Sequence, residues 1–210
     1  MKFGKDYFEE YALLSLEKCY DTAFSHTNFK KDESPDWQSE ELETGIEVSR
    51  ALSKEEGERQ FIVNEYFGRG LGGELIRKAV QKRFSKHGDL IKVIDNTAYV
   101  TNEVNSFSEK YGAIEDRIIE KTKKLNDNYR LFKNNYLYVF ANTGLLAEWD
   151  IEFIFNRIKD KLDSYSKQFD KVFIYSYDKI WVYSNAGIQS YAITKEIAAE
   201  LYKETKQFWD

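Results

Sequence analysis

Between Glu33 and Leu52 the chain reads ESPDWQSEELETGIEVSRAL, and in its second half apolar Ile46 and Val48 alternate with polar Glu47 and Ser49. This period of two marks a strand with one buried face, and it constrains the fold tightly, because a one-residue slip would turn every apolar side chain outward. Upstream, Pro35 is the one proline in the 210 residues, placed where a proline can open a strand without losing a ladder hydrogen bond. With Ser39 to Thr44 as the connection, centred between Glu41 and Leu42, Trp37 faces Ile46 and Asp36 faces Glu47. Directly opposed side chains have Cβ atoms about 5 Å apart, so two carboxylates there repel unless positive charge lies between them. A divalent cation would serve. An exposed hairpin whose two carboxylates point into solvent has the same spacing.

Pro35-Asp36, a short gap, and then Gly45-Ile46-Glu47-Val48-Ser49 resembles the PD-(D/E)xK (restriction-endonuclease-like) nuclease superfamily, in particular its bacterial branch reading PD(W/F)…GIEV(T/S). The resemblance implies an α/β fold with an αβββαβ core, a mixed central sheet flanked by helices. It also implies that Asp36 and Glu47 bind Mg²⁺ or Mn²⁺, and that the substrate is a nucleic-acid phosphodiester, with DNA the expected partner. In that superfamily a lysine two residues after the Glu positions the attacking water; here that residue is Ser49. A hydroxyl carries no charge with which to stabilise the transition state. In some members the lysine has moved onto the following helix, and Lys121-Thr122-Lys123-Lys124-Leu125 fits that variation, with Lys121 the first choice and Lys124 the second. The bland alternative is a lysine snorkelling past the edge of a core.

Composition sets the frame for this reading. With 42% hydrophobic and 16% aromatic residues, the chain can fill a sizeable core, and one domain spanning residues 1–210 is expected, with a Gly-rich and basic helical insertion around 57–110. The single Cys19 excludes an intramolecular disulfide framework and a cysteine zinc site. His26 and His87, the two histidines, are too few for a histidine metal cluster and are read as polar surface residues. No run approaches the roughly 20 apolar residues of a membrane span, and the N-terminus lacks a signal-peptide core, so no membrane association and a cytoplasmic location are expected. The net charge of -5 argues against a general nucleic-acid coat but leaves room for a local basic groove.

Along the chain, Asp6 with Glu9 three residues later predicts a capped helix from Tyr7 to about Tyr20. Phe8, Ala12, Leu13, Leu16, Cys19 and Tyr20 share one side of it with Glu9, while Glu10 and Glu17 project the other way. Glu9 either serves the capping box or, as the resemblance implies, reaches the metal site from the first helix. Phe24 to Asp32 reads as a polar loop. Gly68-Arg69-Gly70-Leu71-Gly72-Gly73 precedes a helical pattern through Phe84 and is similar to the phosphate loop of GNAT-type acyl-CoA acyltransferases; a hinge or tight turn accounts for the same glycines. Arg77, Lys78, Lys82, Arg83 and Lys86 form a solvated face, or in a nuclease a set of phosphate contacts. No strand is assigned between Asp89 and Phe107.

A helix is expected from about Ala113 to Asn126, with Ile114, Ile118 and Leu125 as its stripe and Lys121 at the stripe's edge. Tyr136 to Ala141 reads as a central strand buried on both faces. Asp150 caps the next helix, Lys171 to Tyr175 and Ile180 to Tyr183 flank a turn, a third short run ends near Ile193, and Thr194 starts a terminal helix. Three functions follow: a metal-dependent nuclease, a nuclease fold that has lost catalysis and serves as a binding module, and an acyltransferase using the Gly68 to Gly73 loop.

Overall fold

The strand Asn134–Ala141 (β6) organises the molecule because its side chains are apolar on both faces, and burying both requires a layer of helices on each side. The structure is a computed structural model that describes residues 5–52, 72–83, 91–94, 96–100, 107–141 and 145–206. Two compact units emerge, Met1–Ala51 with Lys110–Asp210, and Leu52–Glu109.

In the first unit, β1 (Lys30–Lys31), β2 (Trp37–Ser39) and β3 (Thr44–Ala51) lead antiparallel to one another into a seven-stranded mixed sheet. Its order is β1-β2-β3-β6-β7-β8-β9, with β7 (Lys171–Ser176), β8 (Lys179–Ser184) and β9 (Gly187–Ala192) completing it. The pairs β3·β6 and β6·β7 are parallel. Parallel neighbours need a crossover, and in sequence a helix separates the strands of each pair: Phe107–Asp127 (α3) precedes β6 and Glu148–Asp163 (α4) follows it. The chain is therefore α/β.

Alternation along the strands sorts the core into two. Ile46, Val48, Tyr136, Tyr138, Phe140 and Phe173 pack with Leu13 and Leu16 of α1 (Lys5–Cys19) and Leu201 of α5 (Lys195–Thr205). Leu137, Val139, Val172 and Ile174 pack instead with Ile114 and Ile118 of α3 and Ile151, Ile154 and Phe155 of α4. One strand thus feeds two cores. Where a tyrosine is buried its hydroxyl is satisfied, as in Ser15 Oγ to Tyr138 Oη at 2.8 Å and Tyr11 Oη to Tyr175 Oη at 3.1 Å.

The second unit contains α2 (Gly73–Arg83), whose Ile76 and Val80 are buried, and the antiparallel hairpin β4 (Ile91–Ile94) and β5 (Thr97–Val100). Asn96 turns the hairpin at φ 60 and its carbonyl accepts the Gly73 N–H at 2.7 Å. This hairpin lies in the stretch where no strand was expected, because its apolar residues are too scattered to show a period. Arg77 pairs with Glu74 at 2.9 Å, and Lys78 and Lys82 are exposed. Gly68 to Leu71 and Lys86 lie outside the described residues, as does the Arg83 side chain.

Several expectations need correction. The first helix already includes Lys5, so Asp6 sits within its first turn, where it pairs with Lys31. Glu10 is buried and pairs with His26, so neither is a plain solvent-facing residue, although His26 itself is half exposed. The segment after that helix buries Phe24 and Phe29 and contains β1. The helix carrying Lys121 begins at Phe107, earlier than Ala113. Asp150 is the third residue of α4, where its Oδ2 accepts the Ala147 N–H at 2.6 Å in a capping box.

Candidate functional site

The register of the β2·β3 hairpin sets the geometry. Trp37 pairs with Ile46, Gln38 with Gly45 and Ser39 with Thr44, and Asp36 lies one residue before the start of β2, so it is not itself in the ladder. Asp36 is 1% exposed, and its Oδ2 accepts the Val48 N–H at 2.8 Å, continuing the ladder with a side chain where β2 has ended. Trp37, Ile46 and Val48 belong to the α1 core, so Glu47 and Ser49 face the α3 side.

Lys121 reaches the same corner from α3. Its helix is held on the sheet by Ile114, Ile118 and Leu125, and Lys121 rises between the last two. Lys121 Nζ donates to Glu47 Oε1 at 2.5 Å and makes a longer contact, 3.4 Å, to the Tyr129 hydroxyl. The Lys121 side chain is 13% exposed and that of Glu47 6%, so the pair is held away from bulk water and is screened little. Taking both charges out of water is costly, and their attraction must offset that cost.

The segment after α3 lies over this corner. The N–H groups of Asn128 and Tyr129 both donate to Lys124 O, at 2.8 and 3.2 Å, winding the chain once more past the helix end. Arg130 N then donates to Ser34 O at 3.3 Å, and Phe132 packs so close to the hairpin that Gly45 is required: a Cβ there would lie 2.7 Å from Phe132 Cδ2 and 2.6 Å from Pro35 Cγ. Burial pushes the Tyr129 phenol up, and the Glu47 charge, a hydrogen bond to the Glu47 carboxylate and the Asp36 charge push it further, so it stays protonated. Tyr129 is the member of this group that reading the sequence missed. The one signal was its spacing, eight residues after Lys121 and four after Leu125, which places it on the same projected face.

The remaining candidates sit elsewhere. Lys124, the second choice, is 44% exposed and pairs with Glu120 at 2.8 Å on the surface of α3. Glu9 is buried on the α1 side of the sheet, with Oε2 2.9 Å from Lys31 Nζ and its backbone carbonyl accepting the Trp37 indole N–H at 2.9 Å. Ser49 is buried on the same face of β3 as Glu47.

Asp36 and Glu47 fit a small divalent cation on one direct observation: Glu47 Oε2 is buried and, apart from the nearby Tyr129 hydroxyl, has no hydrogen-bond partner among the described residues. An orphaned buried carboxylate oxygen is costly unless something positive completes it. Among the described residues no group of three or more His, Cys, Asp or Glu is arranged to hold a metal. Two carboxylates are nonetheless the usual protein complement for Mg²⁺, whose remaining positions go to water and substrate phosphate. No family model, curated protein or solved structure matches this chain.

Proposed function

We propose that the chain is a metal-dependent nuclease of the PD-(D/E)xK type, in which Lys121 takes the part that Ser49 cannot. The observation that carries this reading is the 2.5 Å contact between Lys121 Nζ and Glu47 Oε1, beside a second buried carboxylate, Asp36. The element order α1-β1-β2-β3-α3-β6 of the first unit is compatible with a restriction-endonuclease-like core. No described helix is long and apolar enough to cross a membrane. A cytoplasmic location and DNA as partner belong to this proposal.

Asp36 and Glu47 would hold the cation. Once bound, Mg²⁺ supplies a Lewis acid for the phosphate and a water of lowered pKa. The backbone N–H of Val48 orients Asp36, and the hairpin ladder fixes Asp36 and Glu47 relative to each other. Lys121 offers an ammonium where negative charge develops on the phosphoryl oxygens, and its confinement by α3 removes the need to reorganise during reaction.

The test is Mg²⁺-dependent nicking of supercoiled plasmid and of single-stranded DNA. We expect the wild type to cleave, Asp36→Asn to abolish cleavage, and Lys121→Ala to slow it about 10²-fold to 10³-fold. A second reading, a binding module on a nuclease fold, draws on the same contact, because Glu47 Oε1 is already engaged by a buried lysine. A wild type inert toward both substrates with Mg²⁺ and Mn²⁺ would favour it.

A further inference from the structure

We propose that Tyr129 is a positioning residue for Lys121: its hydroxyl is the second acceptor that keeps the ammonium at the Asp36 and Glu47 corner when a cation on Glu47 Oε2 loosens the Oε1 contact. This inference rests on the function proposed above and adds to it a residue outside the motif. A dication at Glu47 Oε2 would repel the ammonium held on Oε1 of the same carboxylate and loosen that contact. An ammonium has three N–H donors, and when that contact loosens the lysine needs another acceptor or it swings out toward water. The Tyr129 hydroxyl already stands 3.4 Å from Nζ. That distance is long for a hydrogen bond while Lys121 leans on Glu47 at 2.5 Å, and it shortens if the ammonium moves off the carboxylate.

Two further features separate this role from ordinary packing. Tyr129 is half-buried and, among the described residues, belongs to neither apolar core. Its backbone is fixed from both sides, by the Lys124 carbonyl at the end of α3 and by the bond from Arg130 N to Ser34 O beside Asp36. The hydroxyl is thereby carried by a segment tied both to the helix that supplies the lysine and to the strand entry that supplies the carboxylate. A protonated phenol can accept from Lys121 and still donate its own O–H.

The experiment compares wild type, Tyr129→Phe, Lys121→Ala and the double variant. The first readout needs no catalysis: the side-chain ¹H–¹⁵Nζ resonance of Lys121, assigned by its disappearance in Lys121→Ala, recorded with and without Mg²⁺. We expect a resolved signal in the wild type under both conditions, and in Tyr129→Phe a signal lost to exchange once Mg²⁺ is added, with backbone amide shifts of the two cores unchanged. The second readout is nicking, where Tyr129→Phe should lower kcat about tenfold with KM within about twofold, and should have no further effect in the Lys121→Ala background. A Lys121 resonance in Tyr129→Phe that persists with Mg²⁺, or a loss of kcat that simply adds to that of Lys121→Ala, would overturn the proposal. So would a fall in Tm of more than about 10 °C, far beyond the loss of one hydroxyl, since that would make Tyr129 part of the core. A wild type that nicks nothing removes the nuclease reading, while the ammonium resonance still decides whether Tyr129 holds Lys121.

Discussion

Two buried glutamates flank the same sheet, each against a lysine, yet the corners they form differ in what water can do there. On the α1 side, Lys31 is 41% exposed and divides itself between Glu9 and the exposed Asp6. On the α3 side, Lys121 is 13% exposed and is the counter-charge to Glu47, with Asp36 wholly buried alongside. The two lysines differ in exposure, and so does the dielectric around each pair. Where solvent reaches the cation, the interaction is screened and worth little; where it does not, each charge depends on its neighbours.

The largest expected effect is on stability. Lys121→Ala leaves Glu47 buried without its cation and should cost about 3–5 kcal/mol in urea unfolding, whereas Lys31→Ala, at a wetter pair, should cost about 1 kcal/mol or less. Equal costs would erase the distinction between the two corners.

Metal should come next. Mg²⁺ at a hundredfold excess over its Kd should stabilise the wild type by about 2.7 kcal/mol in thermal unfolding. Asp36→Asn and Glu47→Gln should each abolish that response. Glu9→Gln sharpens the contrast: an unchanged response, which we expect, assigns Glu9 to the Lys31 pair, and a lost one brings it into the metal site.

A smaller effect belongs to Glu115 on α3, which is buried and 3.3 Å from Arg157, a residue open to solvent. Burial raises its carboxyl above the usual range even though Arg157 pulls it down. A raised value in the folded state means that the protonated group's stabilisation is complete below the unfolded pKa and is lost as pH rises through the folded value. Glu115→Gln should thus raise Tm slightly, by about a degree or two, at pH 7 and leave it unchanged near pH 4. A fall at pH 7 would show that Arg157 outweighs burial.

These contrasts also show where the sequence was legible. The pairing of Trp37 with Ile46 followed from alternation and a turn centre, because a period of two admits one register when one face is buried. The central strand at Tyr136 to Ala141 and the stripe of α3 were likewise written in apolar spacing. What escaped had no period to read. Strand β1 is two lysines held by its neighbour β2, Glu10 is buried through a contact with His26, and Tyr129 lies past a helix end on a segment placed by Gly45, Pro35 and Phe132. The register that carries Glu47 was legible because it is local; the contact of Glu47 with Lys121 spans 74 residues and depends on the crossover helix.

The central claim is that Asp36 and Glu47 form a cation site with Lys121 at its edge. Anomalous diffraction from crystals grown with Mn²⁺ tests it most directly. The account predicts a peak bound by both carboxylates, with Lys121 Nζ displaced from Glu47 Oε1 toward the Tyr129 hydroxyl. A Mn²⁺ peak elsewhere, with the contact between Lys121 and Glu47 intact, would contradict it.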